Sequence, residues 1–92
     1  MELKDTVEMM QSADYKERFK AEYYQTKVRY EKLKKFNTII EAANRMRCYE
    51  TDEILEMPKH DCPPDLLREQ QRVMGEYLHL LEVRAVIEYI DL

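Results

Sequence analysis

Glycine is almost missing from this chain, and this scarcity constrains the fold more than any other feature. Gly75 is the only glycine among 92 residues, and there are three prolines. Because tight turns between strands need glycine at positions of positive φ, the sequence argues against sandwiches, barrels and Rossmann units. It also lacks the glycine-rich loop that brings backbone N–H groups around a phosphate. The sequence therefore predicts an all-α protein.

The composition favours a folded protein without obvious catalytic groups. Charged residues make up 37% of the chain, but 45% hydrophobic and 10% aromatic content supply material for a core. Ser12 is the only serine, which argues against a serine triad. No apolar run approaches the roughly 20 residues that span a bilayer, and residues 1–10 lack a signal-peptide pattern. Two cysteines, Cys48 and Cys62, predict free thiols in a reducing cytoplasm.

A long helical pattern begins at Tyr15 and meets no helix breaker before Pro58. Residues on one face recur at alternating spacings of four and three, namely Phe19, Tyr23, Thr26, Tyr30, Leu33, Asn37, Ile40 and Asn44. Asp14 and Glu17 have the spacing of a capping box at its start. The pattern predicts a first long helix over 14–47, preceded by an N-terminal extension, 1–13, with a short helix. We interpret the polar members of this seam as register-setting positions.

A second helix is predicted after the corner at Pro63 and Pro64, over residues 64–90. The connector, 48–63, carries a weaker helical pattern at Thr51–Met57. One seam of the second helix consists of Leu67, Gln71, Met74, Leu78, Leu81 and Ala85, and an apolar row beside it consists of Leu66, Val73, Tyr77, Leu80 and Ile87. This apolar sector is wider than one partner helix needs. We therefore expect a single domain, 1–92, folded as an antiparallel helical hairpin that forms a homo-oligomeric bundle.

Charge is distributed unevenly along the chain. Residues 15–36 carry a net charge of +5, residues 50–69 carry −5, and the whole chain carries −4. The acidic total argues against general nucleic-acid binding, which needs a broad basic surface. A small anionic ligand held by a local basic stripe remains compatible with this pattern.

The basic stripe lies beside the seam of the first helix. Its members fall within a sector of about 80° and flank Tyr23 and Tyr30. They are Lys16, Lys20, Tyr24, Lys27 and Lys34. Ammonium groups interleaved with phenol rings suit a phosphorylated nucleotide, since cations contact phosphate oxygens and aromatic faces stack on bases. The alternative is a solvated lysine flank that covers the hydrophobic edge with its methylene groups.

Other positions allow more than one interpretation. Gly75, inside the second helix, marks either the close approach of another backbone or of a ligand, or a tolerated exposed glycine. Arg84 lies among apolar neighbours and is expected to pair with an acid such as Glu88, with anion binding as the alternative. Four residues have side chains that can bind zinc, namely Cys48, His60, Cys62 and His79. Their spacings fit no common zinc-binding pattern. We expect no metal, no cofactor and no enzymatic activity.

Two stretches, 14–35 and 62–88, carry a more specific pattern. A Tyr/Lys-rich helix precedes a Cys-Pro corner and a second helix. In that second stretch the pattern falls on Cys62, Pro63, Leu66, Leu67, Gln70, Met74, Tyr77, Leu78, Leu81, Glu82, Arg84 and Ala85. The chain thereby resembles a family of small helical-hairpin proteins encoded by crAss-like phages and by phages and prophages of Firmicutes. Its architecture is also similar to that of phage sponge proteins, oligomers that sequester cyclic nucleotide signals of bacterial immunity.

The resemblance implies a non-enzymatic counter-defence protein that acts in the cytoplasm of an infected bacterium. Our first hypothesis is a sponge for a cyclic di- or trinucleotide, bound between copies of the chain. The predicted ligand-binding residues are Lys20, Tyr23, Tyr24, Lys27, Lys34 and Arg84. The second hypothesis is an inhibitor that binds a host defence protein through the acidic residues 50–69, and the third is a helper in phage assembly.

Overall fold

The computed structural model describes residues 1–47 and 56–92, and the fold over these residues is all-α, as predicted. A 3₁₀ helix, Leu3–Thr6, leads into α1 (Val7–Met10). The long helix α2 (Tyr15–Arg47) and the helix α3 (Pro64–Ile87) follow. Most of the predicted helical piece Thr51–Met57 lies outside the described residues.

The N-terminal extension packs against α2 through polar contacts. Thr6 is fully buried, and its hydroxyl donates to the carbonyl oxygen of Leu3 at 2.6 Å. Gln25 of α2 donates from Nε2 to Oγ1 of Thr6 at 2.9 Å, so the two segments share one hydrogen-bond chain. A helix as short as α1 is not stable alone, and these contacts with α2 hold it in place.

The start of α2 differs in part from the predicted capping box. Asp14 accepts a hydrogen bond from the backbone N–H of Lys16 at 3.0 Å, which is the capping role that its carboxylate was expected to play. The backbone N–H of Asp14, however, donates to Oγ of Ser12 at 3.1 Å. Glu17 pairs with Lys20 at 3.7 Å. Ser12 therefore takes the place that the capping-box pattern assigns to Glu17.

Helices α2 and α3 pack antiparallel along the predicted seams. The core cluster consists of Phe19, Tyr23, Leu78, Leu81, Ala85 and Ile90. It lies where the first turns of α2 meet the last turns of α3, away from the connector. Ile40 and Ala43 are buried in the connector half of α2, outside this cluster.

Local structure explains where α3 begins and where it ends. Pro63 takes an extended conformation and Pro64 occupies the first turn, where its missing N–H has no cost. At the other end α3 stops at Ile87, three residues before the predicted limit. Tyr89 adopts a left-handed conformation (φ 57°), and the N–H of Ile90 donates to the carbonyl oxygen of Ala85 at 2.8 Å. This is the Schellman arrangement, and it turns Ile90 into the core.

Four members of the apolar row on α3 are exposed to solvent in the chain segments that the structure describes. Leu66, Val73, Leu80 and Ile87 recur every seven residues and are 55%, 49%, 60% and 69% exposed. Such a repeat is the pattern by which one helix packs against another. Within residues 1–47 and 56–92, no helix combines the length and the apolar character that a membrane span requires.

Candidate functional site

Part of the predicted ligand-binding set forms one cluster on α2. The rings of Tyr23 and Tyr24 meet edge to face, with their centroids 5.2 Å apart. Nζ of Lys27 lies 5.8 Å from the centroid of the Tyr23 ring, within the range of a cation–π interaction. Lys20 lies one turn before Tyr24 and is held by its ion pair with Glu17. We call Lys20, Tyr23, Tyr24 and Lys27 the lysine–tyrosine cluster.

Tyr23 is the buried member of this cluster. It is 5% exposed and belongs to the core, and its hydroxyl donates to Oε2 of Glu82 at 2.8 Å. Burial, followed by the hydrogen bond to the Glu82 carboxylate, raises the pKa of Tyr23 to about 12. Its ring therefore packs in the core and against Lys27 and is not an open stacking face, whereas Tyr24 is half-buried at the edge.

Of the remaining predicted residues, Lys34 lies away from the cluster, and Arg84 makes a separate set of contacts. Lys34 is exposed and lies about 21 Å along the helix from Lys20, given 1.5 Å per residue. The guanidinium of Arg84 lies over the Phe19 ring, 5.0 Å from its centroid. Arg84 donates from Nε to Oε2 of Glu88 at 3.1 Å, so the predicted pairing with Glu88 is confirmed. One small ligand on one chain does not reach all six residues.

A larger groove opens between the second half of α2 and the first half of α3. Its volume is about 650 Å³. The residues that matter for its chemistry are Tyr30, Asn37, Arg45, Arg68, Gln71 and Arg72. A second cavity of about 640 Å³ borders it and shares Tyr30, Arg72 and Gly75, so the groove continues along α3. A groove of this size accommodates a small organic ligand.

Asn37 is the most unusual side chain in this groove. It is 9% exposed, and its Nδ2 donates to the carbonyl oxygen of Leu67 at 3.1 Å and to Oε1 of Gln71 at 2.9 Å. Oδ1 is buried and accepts no hydrogen bond from the described residues. The Leu67 carbonyl only accepts, so turning the amide around would set Oδ1 against that oxygen and lose this hydrogen bond. An empty buried acceptor costs about 1–3 kcal/mol.

Most of the positive charge along the groove is matched by acids. Arg45 pairs with Glu41 at 3.1 Å. Arg72 contacts Glu69 at 2.5 Å and Glu76 at 2.7 Å. The hydrogen bond between Arg72 and Glu69 holds the pKa of the Glu69 carboxyl below its ordinary value.

Arg68 differs from the other arginines of the groove. It is exposed, and in the part of the chain that the structure describes it makes no ion pair. Its guanidinium is therefore the cation on this groove that remains available to an anionic ligand among the described residues.

Gly75 explains how Tyr30 comes to border the groove. A Cβ at position 75 would lie 3.3 Å from Cε2 of Tyr30, which is tighter than ordinary van der Waals contact. The glycine therefore admits the Tyr30 ring against the backbone of α3. The close approach predicted at Gly75 is present, but the group that approaches is the Tyr30 side chain and not another backbone or a ligand.

The sequence patterns did not single out this groove as a site. Asn37 was recognised as a polar member of the seam, but the α2 pattern alone does not reveal that Oδ1 lacks a donor. Arg68 lies on α3, outside the basic stripe, and comes to the groove only through the hairpin register. The sequence signal for this site was the polar character of Asn37 within the seam, which Thr26 and Asn44 share.

No cluster of three or more metal-ligating side chains occurs among residues 1–47 and 56–92. Cys62 is exposed and carries a free thiol. Cys48, another member of the zinc set considered from the sequence, lies outside the described residues.

Comparison with known proteins gives one family. The model of the family described as Sequestin matches residues 13–87, which is most of the chain and includes α2 and α3. No curated protein and no solved structure matches the chain.

Proposed function

The chain belongs to the Sequestin family, and on that premise we propose that it sequesters a small ligand without converting it chemically. The family name itself indicates a sequestering role. We further propose that the ligand is a cyclic oligonucleotide that signals in bacterial immunity. The protein would then be a phage-encoded sponge that acts in the cytoplasm of the infected host.

The observation that carries this proposal is the position of Lys27 over the Tyr23 ring, which in turn meets the Tyr24 ring edge to face. A nucleotide needs a cation for its phosphate and an aromatic face for its base, and the lysine–tyrosine cluster offers both within one helical turn. Lys20 and Lys27 contact phosphate oxygens in this proposal, and Tyr24 stacks on a base. Tyr23 acts as a positioning residue, because its buried ring orients the Lys27 ammonium.

Ligand capture between copies of the chain accounts for the residues that lie apart. The exposed heptad row on α3 is the surface on which we expect a second copy to pack. Lys34 and Arg84 are both exposed, and the Arg84 side chain is 51% exposed. In an oligomer they can approach a ligand that is bound mainly by a neighbouring copy.

Native mass spectrometry tests the ligand. The purified protein is measured alone and with a panel of cyclic di- and trinucleotides. We expect a defined oligomer that gains ligand mass in fixed stoichiometry, and we expect Lys27→Ala to abolish that gain while helicity and oligomer size stay the same. Lys32→Ala removes the same charge from another face of α2 and serves as the matched control. Unchanged binding by Lys27→Ala would refute the role given to the cluster.

Size-exclusion chromatography with light scattering tests the oligomer. Leu80→Asp places a charge in the exposed heptad row and should reduce the assembly to a monomer. Gln11→Asp adds the same charge on the exposed N-terminal extension and should leave the mass unchanged. If the wild-type protein is a monomer at all concentrations, the proposal that ligand is bound between copies is wrong.

A further inference from the structure

We propose that the groove at Asn37 binds the nucleobase of a nucleotide, whose phosphate is bound by Arg68. This inference rests on the proposed function, and it adds a second, base-reading site to the lysine–tyrosine cluster. It starts from the buried Oδ1 of Asn37, which lacks a donor among the described residues although it lines a groove of about 650 Å³. A ligand N–H is the group that this oxygen lacks.

The Asn37 amide has the chemistry of a base reader. An asparagine amide presents an acceptor and a donor side by side, and it pairs with the adjacent donor and acceptor on a nucleobase edge. Nδ2 is oriented by the Leu67 carbonyl, which fixes the direction of Oδ1. The second Nδ2 hydrogen is bonded to Gln71.

Binding requires a small movement, and Gln71 is the residue that can make it. Gln71 is half-buried at the groove, and within the described ranges its side chain bonds to Asn37 alone. We assign it the role of a cover that swings outward as the base enters. Both hydrogen-bonding groups of the Asn37 amide then face the base, while the bond to the Leu67 carbonyl is kept.

Two neighbouring side chains complete the recognition of a nucleotide. Tyr30 borders the groove and the cavities that adjoin it, and its half-buried phenol ring supplies an aromatic surface beside the base. Arg68 supplies a guanidinium that has no ion pair with a described residue, and a guanidinium fork binds phosphate oxygens in pairs. One groove thus offers an amide for the base edge, an aromatic ring beside the base and a cation for the phosphate.

A smaller cavity of about 210 Å³ links the groove to the basic stripe of α2. It shares Tyr30 and Gly75 with the groove and is also lined by Lys27. Lys34 and Lys27 lie on the same flank of the helix, seven residues apart. A cyclic oligonucleotide with one base at Asn37 therefore extends its remaining phosphates towards Lys34 and Lys27, which lie about 5 Å and about 15 Å along the helix from Asn37.

Nuclear magnetic resonance with the ¹⁵N-labelled full chain tests the groove at the level of single side chains. The probes are 5′-AMP, 5′-GMP, cyclic di-AMP, cyclic di-GMP and, as a control without a base, ribose 5-phosphate. We expect at least one mononucleotide to shift the side-chain amide signals of Asn37 and Gln71. Ribose 5-phosphate should leave the Asn37 signal unchanged, because it carries a phosphate and no base.

Variants separate the groove from the rest of the surface. Asn37→Leu replaces the amide by an apolar side chain of similar size. It should weaken mononucleotide binding by about tenfold or more, because the base loses its hydrogen-bond partners. Arg68→Ala changes an exposed residue, so it tests the phosphate contact even if Asn37→Leu fails to fold. Arg29→Ala removes the same charge from an exposed position elsewhere on α2 and should bind as the wild type does.

The outcomes distinguish the two proposals. In the first outcome, the wild type binds cyclic dinucleotides, and Asn37→Leu and Arg68→Ala bind both these and the mononucleotides equally well. The groove is then not the base site, whereas the sponge proposal stands. In the second outcome, mononucleotides shift the Asn37 side-chain signal but no cyclic oligonucleotide binds. The groove is then confirmed as a base site, and the proposal of a cyclic ligand is wrong. If no probe shifts any signal, the base site is overturned, and the sponge proposal is refuted as well if native mass spectrometry finds no cyclic trinucleotide bound.

Discussion

Removal of the Tyr23 hydroxyl should weaken the fold in a way that depends on pH. In the folded protein this hydroxyl donates to Glu82 at 2.8 Å from a position that is 5% exposed. A hydrogen bond to a charged group contributes about 1.5–3 kcal/mol when it is well buried. Because Glu82 is exposed and is rehydrated in the variant, we expect Tyr23→Phe to lower the free energy of unfolding by about 1–2 kcal/mol at pH 7.

The alkaline range provides a second, independent measure of the same contact. Burial and Glu82 raise the pKa of Tyr23 from 10.0 to about 12. A phenol whose folded pKa is raised stabilises the fold fully below pH 10 and loses that contribution as pH rises through about 12. Two pKa units correspond to about 2.7 kcal/mol, and about half of this is lost by pH 11. Tyr23→Phe should lack this loss.

Urea unfolding followed by circular dichroism at 222 nm measures both effects, at pH 7, 9 and 11 and at one protein concentration. Tyr24→Phe is the matched control, since it removes a hydroxyl one residue away that makes no hydrogen bond with the described residues. Its effect should stay within about 0.5 kcal/mol. If the difference between wild type and Tyr23→Phe is as large at pH 11 as at pH 7, the reasoning about Tyr23 is refuted.

Three other substitutions test the packing of the hairpin by the same unfolding assay. Leu81→Ala should cost about 2–5 kcal/mol, because Leu81 is 2% exposed, whereas Leu80→Ala should cost far less in the monomer; equal losses would contradict the packing described. Tyr89→Gly should stabilise the protein by about 1 kcal/mol, since Tyr89 is left-handed and 89% exposed; a loss of stability would show that the ring makes contacts that matter. Gly75→Leu should destabilise by about 1–3 kcal/mol by displacing Tyr30, and a neutral result would contradict the close approach.

Much of the architecture was predictable because helical periodicity and proline are local signals. The seam from Phe19 onwards predicted one long helix, and Pro63 with Pro64 predicted the start of the next helix. The end of α3 was less accessible. Nothing in the residue type of Tyr89 favours a left-handed conformation, and the burial of Ile90 against the core selects it. At that end of α3 the packing of Ile90 in the core determined the backbone conformation, and the local helical pattern did not.

The candidate site was predictable only where it depends on a single helix. Lys27 and the two tyrosines share one face of α2, so their proximity follows from spacing. The groove needs the register of α2 against α3, which brings Asn37 to Gln71 and Gly75 to Tyr30. That register depends on pairs far apart in the chain, and a single sequence does not state them. The empty acceptor of Asn37 is visible only once its surroundings are known.

The concentration of the core cluster at one end of the hairpin has a consequence for hydrogen exchange. Backbone amides near Tyr23 and Leu81 should exchange only through global unfolding, whereas those near Asn37 and Gln71 should exchange through smaller local openings. The two halves of the same helix pair then differ in how often they open. The groove half can therefore rearrange around a ligand while the end that holds the core cluster stays folded.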